Sequence, residues 1–340
     1  MKNKKWIALA AAVVLAVTAL PMGVFAAKKD STEEKLTKVT LNEVAHSIFY
    51  APQYVAIEEG YFAEKGLDLT LVTGFGADKT MTAVISGEAD IGFMGAEASV
   101  YAYQEGATDP VVNFAQLTQR AGNFLVAREE MPDFKWEDLK GEKVLGGRKG
   151  GMPEMVFEYI LKKNGIDPQK DLTIDQSIDF GSTAAAFTSD DSAAYTVEFE
   201  PSATILEKEG AGYVVASLGE ASGYVPYTSY STKASYMKEN PEIIQKFTDA
   251  LQKGMDYVQN HTPEEIAEVI APQFKETDLE TITAIVKRYY DQDTWKENLI
   301  FEKDSFELLQ DILEDAGELT DRTAYENLVQ TEYAQKACKI

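Results

Sequence analysis

The 340-residue sequence predicts an α/β protein of two lobes joined by two chain crossings, with a ligand cleft between them. Three observations lead there. Short apolar runs over residues 39–44, 67–72 and 89–94 alternate with helical runs, the pattern of βαβ units on a parallel sheet. That pattern breaks near 118–122, starts afresh, and breaks again near 222–230. A composition of 45% hydrophobic and 26% charged residues in a chain this long supports a sizeable core, divided between two domains.

From the start, Lys2, Lys4 and Lys5 precede an apolar run over 6–20, then Pro21 and the small-residue pattern Val24-Phe25-Ala26. Residues 1–26 thus have the layout of a secretory signal peptide, too short in its apolar part for a comfortable membrane span. Cleavage is expected after Ala26, with Ala27 as a competing site and an uncleaved anchor as the alternative. No cysteine follows the apolar run, so no lipid anchor is expected. Residues 27–37 read as a charged, flexible leader.

The first lobe is assigned to 38–118 plus 229–340, the second to 119–228. In an open parallel sheet, ligands bind outside the carboxyl ends of the strands. Three loops of the first lobe fall there: 46–53, with His46, Phe49, Tyr50 and Gln53; 74–79, with Phe75, Gly76 and Asp78; and 95–99, with Ala96, Glu97 and Ser99. Helix boundaries follow from Pro52 near one start, Gly60 beyond its end, and Gly87 after a helix that places Met81, Val84 and Ile85 toward the core. A strand over 111–117 leads into the first crossing, with Thr118, Gln119 and Arg120.

Strands over 124–127 and 143–145 open the second lobe. The turn GGRKGGMPE then brings Arg148, Gly150, Gly151 and Met152 to a helix start, with Pro153 in its first turn. Free amides there can hold an anion or a polar ligand edge; a plain turn with exposed Arg148 and Lys149 is the other reading. A strand over 172–175 precedes a loop with Ser182. Glu198 lies near the end of the next strand, placed to accept from a ligand amine or to face solvent. A strand over 213–216 completes this lobe, and Tyr224 lies on the return crossing. From 235 onward the chain reads as helical: Thr262-Pro263-Glu264-Glu265 has capping-box spacing, and Phe306, Leu309, Ile312 and Leu313 share one helix face. These helices are expected to cover the first lobe.

The formal net charge of −24 argues against nucleic acid or an anionic membrane as partner. The single cysteine, Cys338, forms no internal disulfide and supplies no redox or metal motif. Of two histidines, His261 precedes a helix cap, and His46 serves either a ligand or a structural hydrogen bond. No G-x-S-x-G, H-E-x-x-H or C-x-x-C is present.

The order P-x-Y-x-A-x-x-x-G-Y-F over 52–62, G-L-D over 66–68 and G-x-A-D-I-G over 87–92 resembles the periplasmic solute-binding family serving importers for aliphatic sulfonates, nitrate, taurine and thiamine pyrimidine precursors. The resemblance spans 38–335 and weakens after about 259. WEDLKGEKV over 136–144 resembles the segment that opens the second lobe in such proteins. Glu200-Pro201 matches the family's D-A-x-x-x-x-E-P, although Ser192-Ala193 stands where the aspartate would be. The resemblance implies the type II periplasmic binding fold and a monomer, without cofactor, that delivers a small solute to an ABC permease and its ATPase. Aromatic walls from Phe49, Tyr50, Phe75 and Tyr224, with Glu97 and Glu198 receiving amines, favour a neutral or cationic nitrogen heterocycle. Ser99, Thr118, Arg120, Arg148 and Ser182 would instead serve a sulfonate, taurine or nitrate. An exported ligand sensor is a further alternative. So is an enzyme like the fungal thiamine-pyrimidine synthases, which resemble the first lobe but carry a cysteine-rich segment that this chain lacks.

Overall fold

The computed structural model describes residues 35–339, so the signal-peptide reading of 1–26 and the leader through residue 34 lie outside it. Ten strands follow: β1 (Thr37–Glu43), β2 (Leu67–Thr73), β3 (Ile91–Gly95), β4 (Val111–Thr118), β5 (Asn123–Ala127), β6 (Lys143–Leu145), β7 (Thr173–Asp175), β8 (Tyr195–Phe199), β9 (Tyr213–Ser217) and β10 (Thr228–Lys233). They form two five-stranded sheets, ordered β2-β1-β3-β10-β4 and β7-β6-β8-β5-β9. Residue 37, assigned to the leader, belongs instead to β1: Thr37 pairs with Leu67, and its amide donates to Gly66 O.

Each sheet is mixed. β1 runs parallel to β2 and β3, as the βαβ pattern requires, whereas β10 is antiparallel to both β3 and β4. In the second sheet β6 is parallel to β7 and β8, and β5 is antiparallel to β8 and β9. The chain leaves the first sheet after Thr118 and returns at Thr228, whose hydroxyls lie 2.6 Å apart.

β10 corrects the sequence reading, which gave residues 228–233 no strand. Its sequence TSYSTK lacks an apolar alternation, yet Thr228 to Thr232 are all buried. Hydroxyl partners offset part of their desolvation: Ser229 donates to Asn113 Oδ1 and Thr232 to Asp90 O, each at 2.6 Å, while Ser231 Oγ has no partner. Tyr230 stacks on Phe93 of β3, ring centroids 4.2 Å apart.

The helix Ala51–Glu58 has proline in its first turn, and Gly60 beyond it takes a left-handed φ of 72°. The helix Ala77–Ser86 buries Thr80, Met81, Ala83 and Val84. Ile85 does not join them: one residue on from Val84, it is turned about 100° around the axis and stands 48% exposed. The capping box at Thr262 is formed, and the helix Lys303–Asp315 buries Phe306, Leu309, Ile312 and Leu313 as read. The C-terminal helices do more than cover the first sheet. Arg288, on the helix Leu279–Asp291, pairs with Glu200 and Glu207 beside the second sheet.

Candidate functional site

Glu97 stands two residues beyond the last residue of β3, after the N-cap Ala96, and opens the helix Glu97–Gln104. Its carboxylate folds back over Gly95, where any side chain would collide with it. The residue is 3% exposed, and burial pushes its pKa up to about 7, against the opposing pull of its own amide, the Met152 amide and the charge of Arg148. Oε2 of this buried carboxylate has no hydrogen-bond partner.

Met152 and Arg148 belong to the other lobe, so the environment of Glu97 is shared between the two. Gly150, at φ 78°, brings the Gly-rich turn close: its carbonyl accepts from Tyr101 Oη at 3.0 Å, on the helix that Glu97 opens. Gly151 caps the helix Met152–Lys163. Arg148 pairs with Asp78, Nη1 to Oδ1 at 3.2 Å, and Ser47 Oγ donates to Glu200 O at 3.3 Å. Residues from all three first-lobe loops therefore face residues of the second lobe.

An aromatic cluster is centred on Phe49. Its ring is 5.2 Å from Tyr50, 5.6 Å from Tyr227, 6.0 Å from Phe199 and 5.2 Å from Tyr289. Gly122 abuts the same ring; a Cβ there would sit 2.6 Å from three ring carbons. Tyr50 and Tyr227 are buried, and the Glu97 charge helps raise the pKa of both phenols after the larger effect of burial. Tyr227 Oη donates to Asn123 Oδ1 at 3.4 Å, while Asn123 Nδ2 has no partner.

His46 and Gln53 serve a network beneath this cluster. Glu43, fully buried, accepts from Gln53 Nε2 and Tyr54 Oη at 2.8 Å each and from Thr73 Oγ1 at 3.1 Å, and it contacts His46 Nδ1 at 2.8 Å. The other His46 nitrogen faces Gln273 O at 3.0 Å, and the Glu43 hydrogen bond raises the imidazole pKa. Tyr230 closes the network by donating to Gln53 Oε1 at 2.8 Å. This is the structural-bond reading of His46.

Glu198 is buried, which removes its solvent-facing alternative. Its oxygens accept from Thr183 Oγ1 at 3.0 Å and Thr196 Oγ1 at 2.6 Å, and burial raises its pKa to about 7 despite them. Strand register puts Phe124 directly across from it, and pairs Asn123 with Phe199. Asn123 and Glu198 thus project from opposite faces of the sheet.

The remaining candidates are dispersed. Phe75 is 76% exposed at φ 57°, followed by Gly76 at φ 144°. Tyr224 is 58% exposed, donating to Asp293 at 2.5 Å with the Arg120 guanidinium 4.3 Å over its ring. Gln119 Nε2 donates to Asp293 O, and Arg120 Nη1 to Gly219 O. Gln119 and Asp293 help line a cavity of about 490 Å³ whose walls include neither Glu97 nor Tyr50. Ser182 is exposed and Ala96 buried. Sequence reasoning missed Asn123, Tyr227 and Tyr101. A tyrosine in the return crossing was the available signal for Tyr227; nothing distinguished Asn123. Among the described residues, no group of three or more histidine, cysteine or acidic side chains is placed to hold a metal, and no helix is long and apolar enough to cross a membrane.

Two mixed α/β sheets, with both chain crossings side by side, define the fold of the periplasmic binding proteins. The chain superposes with a TM-score of 0.69 on the alkanesulfonate-binding protein SsuA from Xanthomonas axonopodis pv. citri bound to MOPS, at 15% identity over 86% of this chain and 98% of that one. More narrowly, the chain belongs to the NMT1/THI5-like family, whose model matches residues 48–266. It is 47% identical to YtlA of Bacillus subtilis over 312 residues, 92% of this chain and 93% of that protein. More distant relatives are the riboflavin-binding protein RibY of Chloroflexus aurantiacus, 25% identical over 68% of this chain and 65% of its own, and the Saccharomyces cerevisiae 4-amino-5-hydroxymethyl-2-methylpyrimidine phosphate synthase THI11, 24% identical over 62% and 63%.

Proposed function

We propose that this protein is the extracytoplasmic substrate-binding component of an ABC importer, and that it captures a neutral or cationic nitrogen heterocycle between its lobes. The observation that carries the ligand class is the unpartnered, buried carboxylate oxygen of Glu97, whose charge reaches Tyr50 and Tyr227 of the Phe49 cluster. A buried acceptor calls for a donor, and flat aromatic walls suit a ring. An anion in the same place would add charge next to a carboxylate. The names of RibY and THI11 both concern nitrogen heterocycles, which agrees with this chemistry. The crossings near 118–122 and 222–230 act as the hinge, and ligand exchange requires the Arg148–Asp78 and Tyr101–Gly150 contacts to part.

THI11 is named as a synthase, but we read the role here as capture. His46 is engaged by Glu43 and Gln273, and the one cysteine, Cys338, lies at the far end of the chain. The second reading is an aliphatic sulfonate, supported by the name of SsuA and by Arg148, whose charge reaches Glu97 and which could release Asp78 for a ligand anion.

The test is a thermal-shift screen of residues 27–340 against thiamine pyrimidine precursors, riboflavin-like heterocycles, polyamines, taurine, alkanesulfonates and nitrate. A ligand at a hundredfold excess over Kd stabilises the folded state by about 2.7 kcal/mol. Shifts confined to heterocycles support the proposal; shifts confined to sulfonates or nitrate overturn its ligand class.

A further inference from the structure

Among the described residues, the buried side-chain atoms without a partner include one acceptor and one donor that flank the same tyrosine. Glu97 Oε2 belongs to the first lobe and Asn123 Nδ2, at the start of β5, to the second. Tyr227 links them: its hydroxyl donates to Asn123 Oδ1, and its neighbour Thr228 pairs with Gly95, over which the Glu97 carboxylate lies. That hydrogen bond turns the Asn123 carbonyl toward Tyr227 and leaves the amide N–H₂ as the free group. Asn123 is 0% exposed, so bulk solvent does not reach the donor. Leaving both atoms unsatisfied is costly, and one planar molecule presenting a donor and an acceptor would satisfy both.

We infer that Asn123 is a specificity-determining residue, and that Glu97 and Asn123 read the ligand as a pair: Glu97 accepts from a ligand N–H, and Asn123 donates to a ligand ring nitrogen or carbonyl oxygen. The inference rests on the interlobe heterocycle reading above and narrows it to planar molecules carrying both features, as an aminopyrimidine, a cyclic amidine or a lactam does. A sulfonate offers acceptors to Asn123 but no donor to Glu97. A simple amine offers the reverse. Because the two side chains come from different lobes, both bonds form only when the lobes are together, so recognition and closure become one event.

The experiment is a ligand-observed NMR titration of residues 27–340 with two probes, 4-aminopyrimidine and aniline. Both carry the amino donor; only the first carries ring-nitrogen acceptors. The wild type is expected to prefer 4-aminopyrimidine by tenfold or more. In Asn123→Asp, which keeps the acceptor toward Tyr227 and removes the donor, and in Asn123→Ala, the preference should fall to about one with aniline affinity little changed. A third probe, 4-(dimethylamino)pyrimidine, lacks the N–H; it should bind the wild type at least tenfold more weakly than 4-aminopyrimidine, and Glu97→Gln should shrink that gap. Undiminished preference in folded Asn123 variants, or equal loss of both probes, overturns the role of Asn123 while leaving the heterocycle reading intact. Failure of all three probes to bind the wild type overturns this inference, and sulfonates binding in their place overturns the heterocycle reading with it.

Discussion

Glu97→Gln should flatten the pH dependence of stability between pH 4.5 and 8. In the folded chain the carboxyl is 3% exposed and its pKa is pushed from 4.5 to about 7 by burial. Between those values the folded protein holds a proton that the unfolded chain has released. Unfolding therefore gives up a proton, and stability falls as pH rises. This contribution is complete below about pH 4.5, is lost as pH rises through 7, and levels off above. At about 1.4 kcal/mol per pH unit, the gap amounts to about 3 kcal/mol. Glu198 and Glu154, raised by burial to about 7 and about 8, slope in the same direction, so the wild type alone cannot isolate Glu97. The difference between wild type and variant can. Urea unfolding at pH 4.5, 6, 7 and 8 gives the free energy of each, and their difference should change by about 3 kcal/mol across the range in favour of the variant at high pH. Parallel profiles would refute the argument, because they would mean that Glu97 titrates alike in both states.

Three further outcomes follow from local geometry. Arg288→Ala strands the fully buried carboxylate of Glu200, held now at 2.6 Å, and should cost about 3 kcal/mol in chemical denaturation; a loss below 1 kcal/mol would show that the Thr204 hydrogen bonds suffice. Gly122→Ala forces a methyl against the Phe49 ring and should cost about 1–3 kcal/mol, partly recovered by adding Phe49→Leu; an unchanged thermal midpoint would contradict the contact. Thr262→Ala removes a formed capping box and should cost about 1 kcal/mol, read from the same unfolding curves, whereas Thr262→Ser should be nearly neutral.

Elements whose signal is local were legible. Gly60 and Gly87 end helices because their left-handed backbone suits glycine, and the Thr262 box closes as its spacing demands. β10 was not legible: buried threonines and serines look like a loop until Asn113, Thr118 and Asp90 O are brought alongside by other strands. Glu97 and Tyr50 could be put forward as candidates because a turn after a parallel strand lies on the side where ligands bind in open α/β sheets. Whether Glu198 met solvent could not be read, since its answer lies in Thr183 on a neighbouring helix. Asn123 was invisible for the same reason. Its proposed role depends on Tyr227, 104 residues further along, and on a carboxylate at a helix start of the other lobe.

The meeting of Thr118 and Thr228 within hydroxyl reach has an architectural consequence. The second sheet is spliced into the first at two neighbouring points, so residues 119–227 behave as a cassette whose ends already lie together. Exchanging that cassette with the corresponding stretch of a relative needs two joins, in the edge strand β4 and its neighbour β10, and a donor stretch that keeps carboxylate partners for Arg288; the backbone of the recipient sheet stays intact. The halves of the proposed site are then inherited separately, with Glu97 and Tyr50 kept from the host and Asn123 and Met152 brought by the donor, so that recombination can combine them anew without altering the pairing inside either sheet.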